Sequence, residues 1–453
     1  MTPSPAAPPM TPLHAGARIT IIGGGATGML IAAHLLSKDT AQFHVTLIEG
    51  RFEPGRGLAY STRDPDHLLN TRVMQMSAWP EAPEHLLTWL RARPETSDKG
   101  PQDFISRCLY GDYLTELASP WKDSGRLEII ADQALHLSED GLSVTLASGR
   151  VVTADLTVLA TGHALPESNP DDPVTGAWDF RAPADQEAQV VIIGTGLSMV
   201  DQALSLLNKG HRGPILAVSR RGLLPLAHAP SQPLKLVPED LPLDQGVSQL
   251  LRFLRAKARA AEAAGGTWRD VVDAIRPFIA KIWQAWPEAE RRRFLRHGSS
   301  WWEVHRHRIP DASDLRLRQA MKDGQLSILR AGFQSAGRAG DGSLTATLRP
   351  RGSGVLTEVP AAFIVDCRGI RRDPVAHASP VLADLFARGF ARKDPLSIGP
   401  DVTTDGRLIT QSGALMPGVV ALGPPTRAAL WEITAIPDIR AQAAALAAAL
   451  APA

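Results

Sequence analysis

Two stretches of the chain repeat one pattern of apolar and small residues. Residues 19–28 read ITIIGGGATG, and residues 190–199 read VVIIGTGLSM. Each is a short β-rich apolar run, then glycines at the same spacing, then a helix-like segment, MLIAAHLLSK in the first and VDQALSLLNKG in the second. This pattern predicts a buried strand, a tight turn and a helix packed back on the strand. The two copies are offset by 171 residues, about one domain. Each unit closes on a strand that ends in a glycine turn, LTVLATGH at 156–163 and AFIVDCRGI at 362–370, and a third apolar run, GVVALGPP, follows at 418–425. Between about 245 and 297 the pattern changes to a helical insertion rich in Arg, Ala and Trp. Within it TWRDVVDAIRPFIAKIWQAW has apolar residues at helical spacing, broken by Pro277. The Pro-rich stretch 225–243 leads into the insertion, and the Ala-rich C-terminal segment predicts a packed terminal helix.

Composition narrows the class. The 453 residues are 44% hydrophobic and 21% charged, an ordinary globular balance. With 48 Lys and Arg against 47 Asp and Glu, the net charge of +1 excludes a nucleic-acid binder that works through bulk positive charge. The two cysteines, Cys108 and Cys367, are far apart, so no disulfide framework, CxxC redox pair or Cys-rich zinc site is expected. That count fits a reducing compartment, and a cytoplasmic location is expected. Residues 1–17 have no basic start followed by an apolar run and read as a flexible extension, not a secretory signal. No apolar stretch reaches 18 residues, so neither a transmembrane helix nor a membrane partner is expected.

The glycines carry the first chemistry. Gly23, Gly25 and Gly28 form G-x-G-x-x-G between a strand and a helix. The first glycine permits the turn, the second lets the backbone approach a pyrophosphate, and the third lets helix and strand pack closely. The helix N-terminus then turns its free N–H groups toward phosphate. The next strand, His44–Ile48, ends in Glu49, 21 positions after Gly28, where an acid can accept hydrogen bonds from a ribose diol. The second copy keeps Gly194 and Gly196 but has Met199 in place of the third glycine. Its following strand, Ile215–Val218, ends in Ser219-Arg220-Arg221 with no acid, which favours the 2′-phosphate of NADPH over NADH.

With GRGLAYS (55–61), HLLN (67–70), the ATG turn (160–162), SRRGLLP (219–225), WEVHRHR (302–308), DCRG (366–369) and LWEITAIP (430–437), the chain from about residue 18 resembles flavoproteins with two dinucleotide-binding domains. That group includes flavin-dependent monooxygenases and the amine and amino-acid N-hydroxylases. The resemblance implies an α/β fold with two Rossmann-like, three-layer ββα domains and a helical insertion. It places an FAD domain at 18–186 and 371–453, split around an NADPH domain at 187–370. It implies FAD on Gly23, Gly25, Gly28 and Glu49, with Gly55 and Gly57 near its flavin side, Gly162 closing the domain beside it, and Gly423 near the ribityl phosphate. Relatives usually carry Gly-Asp at that last position, whereas this chain has Gly423-Pro424, and Arg368 stands where a small residue is expected.

Around the flavin, Ala435-Ile436-Pro437-Asp438 reads as a helix start aimed at the N1–C2 edge, with Trp431 and Ile436 as ring contacts. Met74-Gln75-Met76-Ser77 resembles the Met-Gln-x-Ser stretch that N-hydroxylating monooxygenases place against the isoalloxazine, with Met76 on the cofactor. Gln75 and the upstream Asn70 are the candidate catalytic amides. The HxH at His305 and His307 reads as part of a strand with exposed polar residues and not as a metal site, and His163 and His228 read as structural or NADP-adjacent. The expected activity is NADPH-dependent reduction of FAD followed by oxygenation of a small nucleophile through a C4a-hydroperoxyflavin, with molecular oxygen and an amine or amino acid as co-reactants. Two alternatives stay open: an oxidoreductase passing electrons to a non-oxygen acceptor, and a non-catalytic module that binds both nucleotides.

Overall fold

A computed structural model describes residues 10–163, 169, 171–243, 245–369 and 373–452. The chain divides into two compact units, one of Met1–Arg63, Thr71–Leu165 and Arg371–Ala453, the other of Asp64–Asn70 and Pro166–Ile370.

In the first unit the apolar runs become a six-stranded sheet. Its order is Arg407–Ile409, Leu415–Ala421, Leu156–Leu159, Arg18–Ile22, His44–Ile48, Leu127–Ile130, all parallel except the first pair. Strand Arg18–Ile22 is buried from its second residue onward, as a central parallel strand covered on both faces must be. Helix Ala26–Leu36 is apolar almost all round because it packs on that strand and also against the terminal helix Ile436–Leu450. An antiparallel meander, Ala134–Leu137, Ser143–Leu146 and Val151–Thr153, shares a core with helix Pro380–Ala387 through Leu137, Val144, Leu146, Val381, Leu382 and Leu385. Residues 1–9 of the expected extension lie outside the described residues. Beyond them the chain is tied down, with Leu13 N donating to Leu450 O at 2.9 Å and Gly16 N to Ala41 O at 2.8 Å.

The second unit has a seven-stranded sheet, ordered Thr357–Ala361, Leu344–Pro350, Leu326–Arg338, Ile215–Ser219, Val190–Ile193, Phe363–Asp366, Thr175–Gly176. It is parallel from Leu326–Arg338 through Thr175–Gly176 and antiparallel at the other edge. Along the long strand the parallel pairs end at Arg330 and the antiparallel pairs begin at Ala331, with a bulge between Phe333 and Ser335 inside the antiparallel part. Because Thr175–Gly176 pairs with Val365 and Asp366, the chain joins this sheet before residue 187, where the sequence placed the boundary. Asp64–Asn70 belongs here too: Asp64 accepts from Ser205 Oγ (2.7 Å) and Lys209 Nζ, and His67 Nε2 bonds Ser205 Oγ at 3.0 Å.

The insertion is helical, and Pro277 divides Trp268–Ile275 from Ile279–Ala285 by a 3-10 turn. It runs further than 297, through a π-turn at Phe294–Gly298 into helix Ser299–Arg306. The strand expected at 302–308 is therefore a helix: the chain enters it already helical from the π-turn, which overrides the brief apolar–polar alternation Trp302-Glu303-Val304-His305. His305 Nδ1 bonds Trp301 O at 2.8 Å and His307 Nε2 meets Glu303 at 3.1 Å, contacts one helical turn back. Among the described residues no three His, Cys, Asp or Glu side chains are placed to hold a metal, and no helix is long and apolar enough to cross a membrane.

Candidate nucleotide-binding sites

The first glycine turn is shaped by what each missing side chain would strike. Gly23 has φ +103°, and a Cβ there would lie 2.4 Å from Ala160 O at the end of the neighbouring strand. A Cβ on Gly28 would lie 1.9 Å from Gly23 O, so this glycine lets the helix close on its own turn. Gly25 faces another glycine, its Cβ position being 3.2 Å from Gly57 Cα. Gly55, with φ +92°, donates its N–H to Gly24 O at 2.7 Å and backs onto Thr115 N. The sequence thus named six residues that meet at one end of the sheet, the sixth being Glu49. Its carboxylate is oriented by the N–H groups of Gly24 (2.9 Å), Arg51 (2.8 Å) and Phe52 (3.0 Å). Oε2 takes only one of these, which leaves it lone-pair capacity for a hydroxyl.

This end fits a dinucleotide. Helix Ala26–Leu36 starts at Gly25 with no side-chain cap and no acid in its first turn, so its N–H groups and dipole are open to phosphate. Thr161 Oγ1, in the ATG turn, is buried with no hydrogen-bond partner. Gly162 has φ +72° and open space at its Cβ position. Gly423, with φ +68°, comes close to Thr27, and its N–H donates to Gln442 Oε1 at 2.8 Å. Gln442, which the sequence reading missed, thereby holds the turn that Pro424 opens.

The second turn repeats the first in detail. Gly194 has φ +113°, and its Cβ would lie 2.6 Å from Cys367 O, as Gly23 does with Ala160 O. A Cβ on Gly196 would meet open space, and helix Leu197–Asn208 likewise begins without cap or acid. Met199 is fully buried, packed into a core with Val190, Ile192, Val365 and Cys367. The side chain at the third-glycine position thus fills the core behind the turn. Beyond the adjacent strand, Ser219 Oγ bonds Thr195 Oγ1 at 2.9 Å and accepts from Gly222 N at 3.0 Å. Arg220 is exposed. Arg221 donates to the carbonyls of Arg296 (2.7 Å) and His297 (3.2 Å), so it also fastens the insertion. Arg368 folds back in a two-bond contact with Asp366, at 2.9 and 2.7 Å.

A match to a family model described as FAD-NAD(P)-binding covers residues 20–164. No curated protein matches the sequence. Solved structures share the fold along nearly all of the chain. The ornithine N-hydroxylase of Kutzneria sp. 744 is 14% identical with a TM-score of 0.65, covering 96% of this chain and 98% of that one. The L-lysine 6-monooxygenase of Pseudomonas syringae is 15% identical with a TM-score of 0.63, over 96% and 99%. The bacillithiol disulfide reductase of Bacillus cereus is 14% identical with a TM-score of 0.53, over 96% and 98%. The α/β fold with two Rossmann-like sheets expected from the sequence is thus the observed one, and proteins of more than one chemistry share it.

The remaining candidates are placed as follows. Gln75 is exposed at the end of a 3-10 turn, Val73–Gln75, in the first unit. Met76, Trp431 and Ile436 are there too, at 3%, 5% and 3% exposure. Trp431 has φ +60°, a genuine outlier for a large side chain, with the Arg427 guanidinium 4.5 Å from its ring centre. Asn70 belongs to the second unit, where its carbonyl oxygen accepts from His228 Nε2 at 3.0 Å.

Proposed function

We propose that this protein is an NADPH-dependent FAD monooxygenase that oxygenates a small nucleophile, an amine or an amino acid. The observation that carries the reading is the duplicated turn with two different endings: Glu49 after one, Ser219-Arg220-Arg221 after the other. An acid suits the ribose diol of FAD, and serine with guanidinium suits a 2′-phosphate. The fold shared with an ornithine N-hydroxylase and a lysine 6-monooxygenase supports the oxygenase class.

The cysteines argue against the disulfide-reductase chemistry of the Bacillus cereus neighbour. Cys367 is core, and burial pushes its thiol well above the usual range, away from a reactive thiolate. Cys108 is half-buried beside Ser106 Oγ. Bound FAD supplies the hydride acceptor and the oxygen chemistry. The chain's own residues would bind and orient: the helix start after Gly25 the pyrophosphate, Glu49 the ribose, Arg220 and Ser219 the NADPH phosphate, with the backbone at Gly55 and Gly57 passing close to the flavin side. Gln75, exposed in the first unit, and Asn70, in the second, are the candidate catalytic amides.

NADPH oxidation is to be screened against amino acids and amines, with hydroxylamine and hydrogen peroxide both quantified. Amine-stimulated oxidation that yields hydroxylamine is the expected result. Rapid flavin reduction with no amine dependence and no hydroxylamine would assign the chain to the reductases, and bound FAD that NADPH never reduces would make it a binding module.

A further inference from the structure

All three tyrosines of the chain stand in one cluster of the first unit. Tyr60 and Tyr110 have ring centres 4.9 Å apart, Tyr110 and Tyr113 5.6 Å, and Tyr113 and Trp89 5.5 Å. The line of rings runs outward from the core: Tyr110 and Tyr113 are fully buried, Trp89 is half-buried, and the neighbouring His85 is exposed. Backbone on the inner side is held by side chains from two helices, Arg107–Glu116 and Ile436–Leu450. Tyr110 OH donates to Met76 O at 3.0 Å, Arg440 Nη1 donates to Ser77 O at 2.8 Å, and Ala78 N donates to Tyr113 OH at 3.0 Å. Edge and tilted contacts of this kind pack a core. They also join easily oxidised rings without a gap, so a hole formed on one can pass to the next.

Oxidising a phenol releases its proton, so a hole settles where a base can take that proton. Tyr113 has such a base. Its oxygen already accepts from Ala78 N, and His85 Nδ1 lies 2.8 Å away, so the phenolic proton is directed to the imidazole. His85 is exposed and can pass a proton on to water. The neighbouring rings are worse placed. Tyr110 donates to a peptide carbonyl. Trp89 Nε1 donates at 2.9 Å to Glu116, a carboxylate that is a weak base at neutral pH. The Arg93 guanidinium lies 3.4 Å from the centre of the Trp89 ring and is paired with Glu116, which disfavours positive charge on the indole. A hole that enters at Trp89 therefore runs downhill to Tyr113.

We propose that Tyr113 is a radical-forming residue that quenches one-electron oxidants of the peroxyl-radical class, with Trp89 as the entry and His85 as the proton acceptor. One electron leaves Tyr113 through Trp89, the phenolic O–H bond breaks toward His85 Nδ1, and His85 gives its Nε2 proton to water. The peroxyl radical gains that electron and a proton from water and becomes a hydroperoxide, so a peroxyl radical and a phenol yield a hydroperoxide and a neutral tyrosyl radical. This chemistry needs no cofactor and is separate from the oxygenase reading. The test oxidises the purified full chain with photogenerated tris(bipyridine)ruthenium(III) at about pH 8, where histidine is neutral, and reads radicals by freeze-quench electron paramagnetic resonance. The parent is expected to give a tyrosyl signal that Tyr60→Phe and Tyr110→Phe keep and Tyr113→Phe loses. His85→Gln keeps a hydrogen-bond acceptor but no base, and should slow tyrosyl formation about a hundredfold, the usual contribution of a positioned base. If Tyr113→Phe does not fold, His85→Gln, at an exposed position, carries the comparison. A parent that gives only tryptophan radicals, a tyrosyl signal undiminished in Tyr113→Phe, or formation as fast in His85→Gln as in the parent overturns the inference.

Discussion

Restoring the third glycine of the second turn is expected to damage the protein. Met199 is fully buried among Val190, Ile192, Val365 and Cys367, behind the turn and away from the open space at Gly196. Met199→Gly therefore removes a core side chain without improving access to the nucleotide. Truncating a buried methionine costs about 2–5 kcal/mol, and glycine in a helix adds about 1. The sum, about 3–6 kcal/mol, is a large part of the stability of a unit this size. At about 2–4 °C per kcal/mol, the transition of the second unit should fall by about 6–24 °C. Scanning calorimetry on Met199→Gly and Met199→Ala separates the cavity from the glycine entropy, since alanine should retain most of the loss. A Met199→Gly protein within about 2 °C of the parent, or one that binds NADPH more tightly, would refute the reasoning that this residue serves the core.

Other substitutions probe the two turns and the Asp64–Lys209 pair. Gly23→Ala places a methyl group 2.4 Å from Ala160 O at a φ alanine rarely adopts, and Gly194→Ala does the same 2.6 Å from Cys367 O; the first should be purified with little FAD by flavin absorbance, while the second keeps FAD and loses NADPH reduction. Arg220→Ala should raise KM for NADPH about tenfold, one charge-assisted bond, and leave KM for NADH unchanged in steady-state kinetics. Burial raises the Asp64 pKa, but Lys209, Ser205 and the Asp66 N–H outweigh it and hold the carboxyl down to about 2. Because the folded value lies below the unfolded one of about 3.9, the stabilisation is present above pH 4 and is lost as pH falls toward 2. Asp64→Asn should therefore cost up to about 2 kcal/mol in urea unfolding at pH 7 and almost nothing at pH 2.

Legibility in the sequence followed the range of the physics. The turns at Gly23 and Gly194 were readable because a tight strand–helix connection makes local demands, and both glycines have φ above 100°. Met199 looked like a defect because spacing alone does not say which way a side chain points. The segment 302–308 was misjudged because its helix is continued from a preceding π-turn, which short-range patterning does not reveal. Gln442, Arg440 and the Asp64–Lys209 pair left no motif, since each acts on a group distant in sequence.

The sequence alone determined two strand–turn–helix units built on glycine turns, the different residues at the ends of their second strands, and the absence of a thiol pair. These rest on residue types at short spacing. The tertiary structure decided that Asp64–Asn70 belongs with the second unit, that Met199 serves the core, and that Arg440 joins two segments more than 350 residues apart. Those are matters of which buried polar groups and cavities find partners, and a chain settles them only when it is folded.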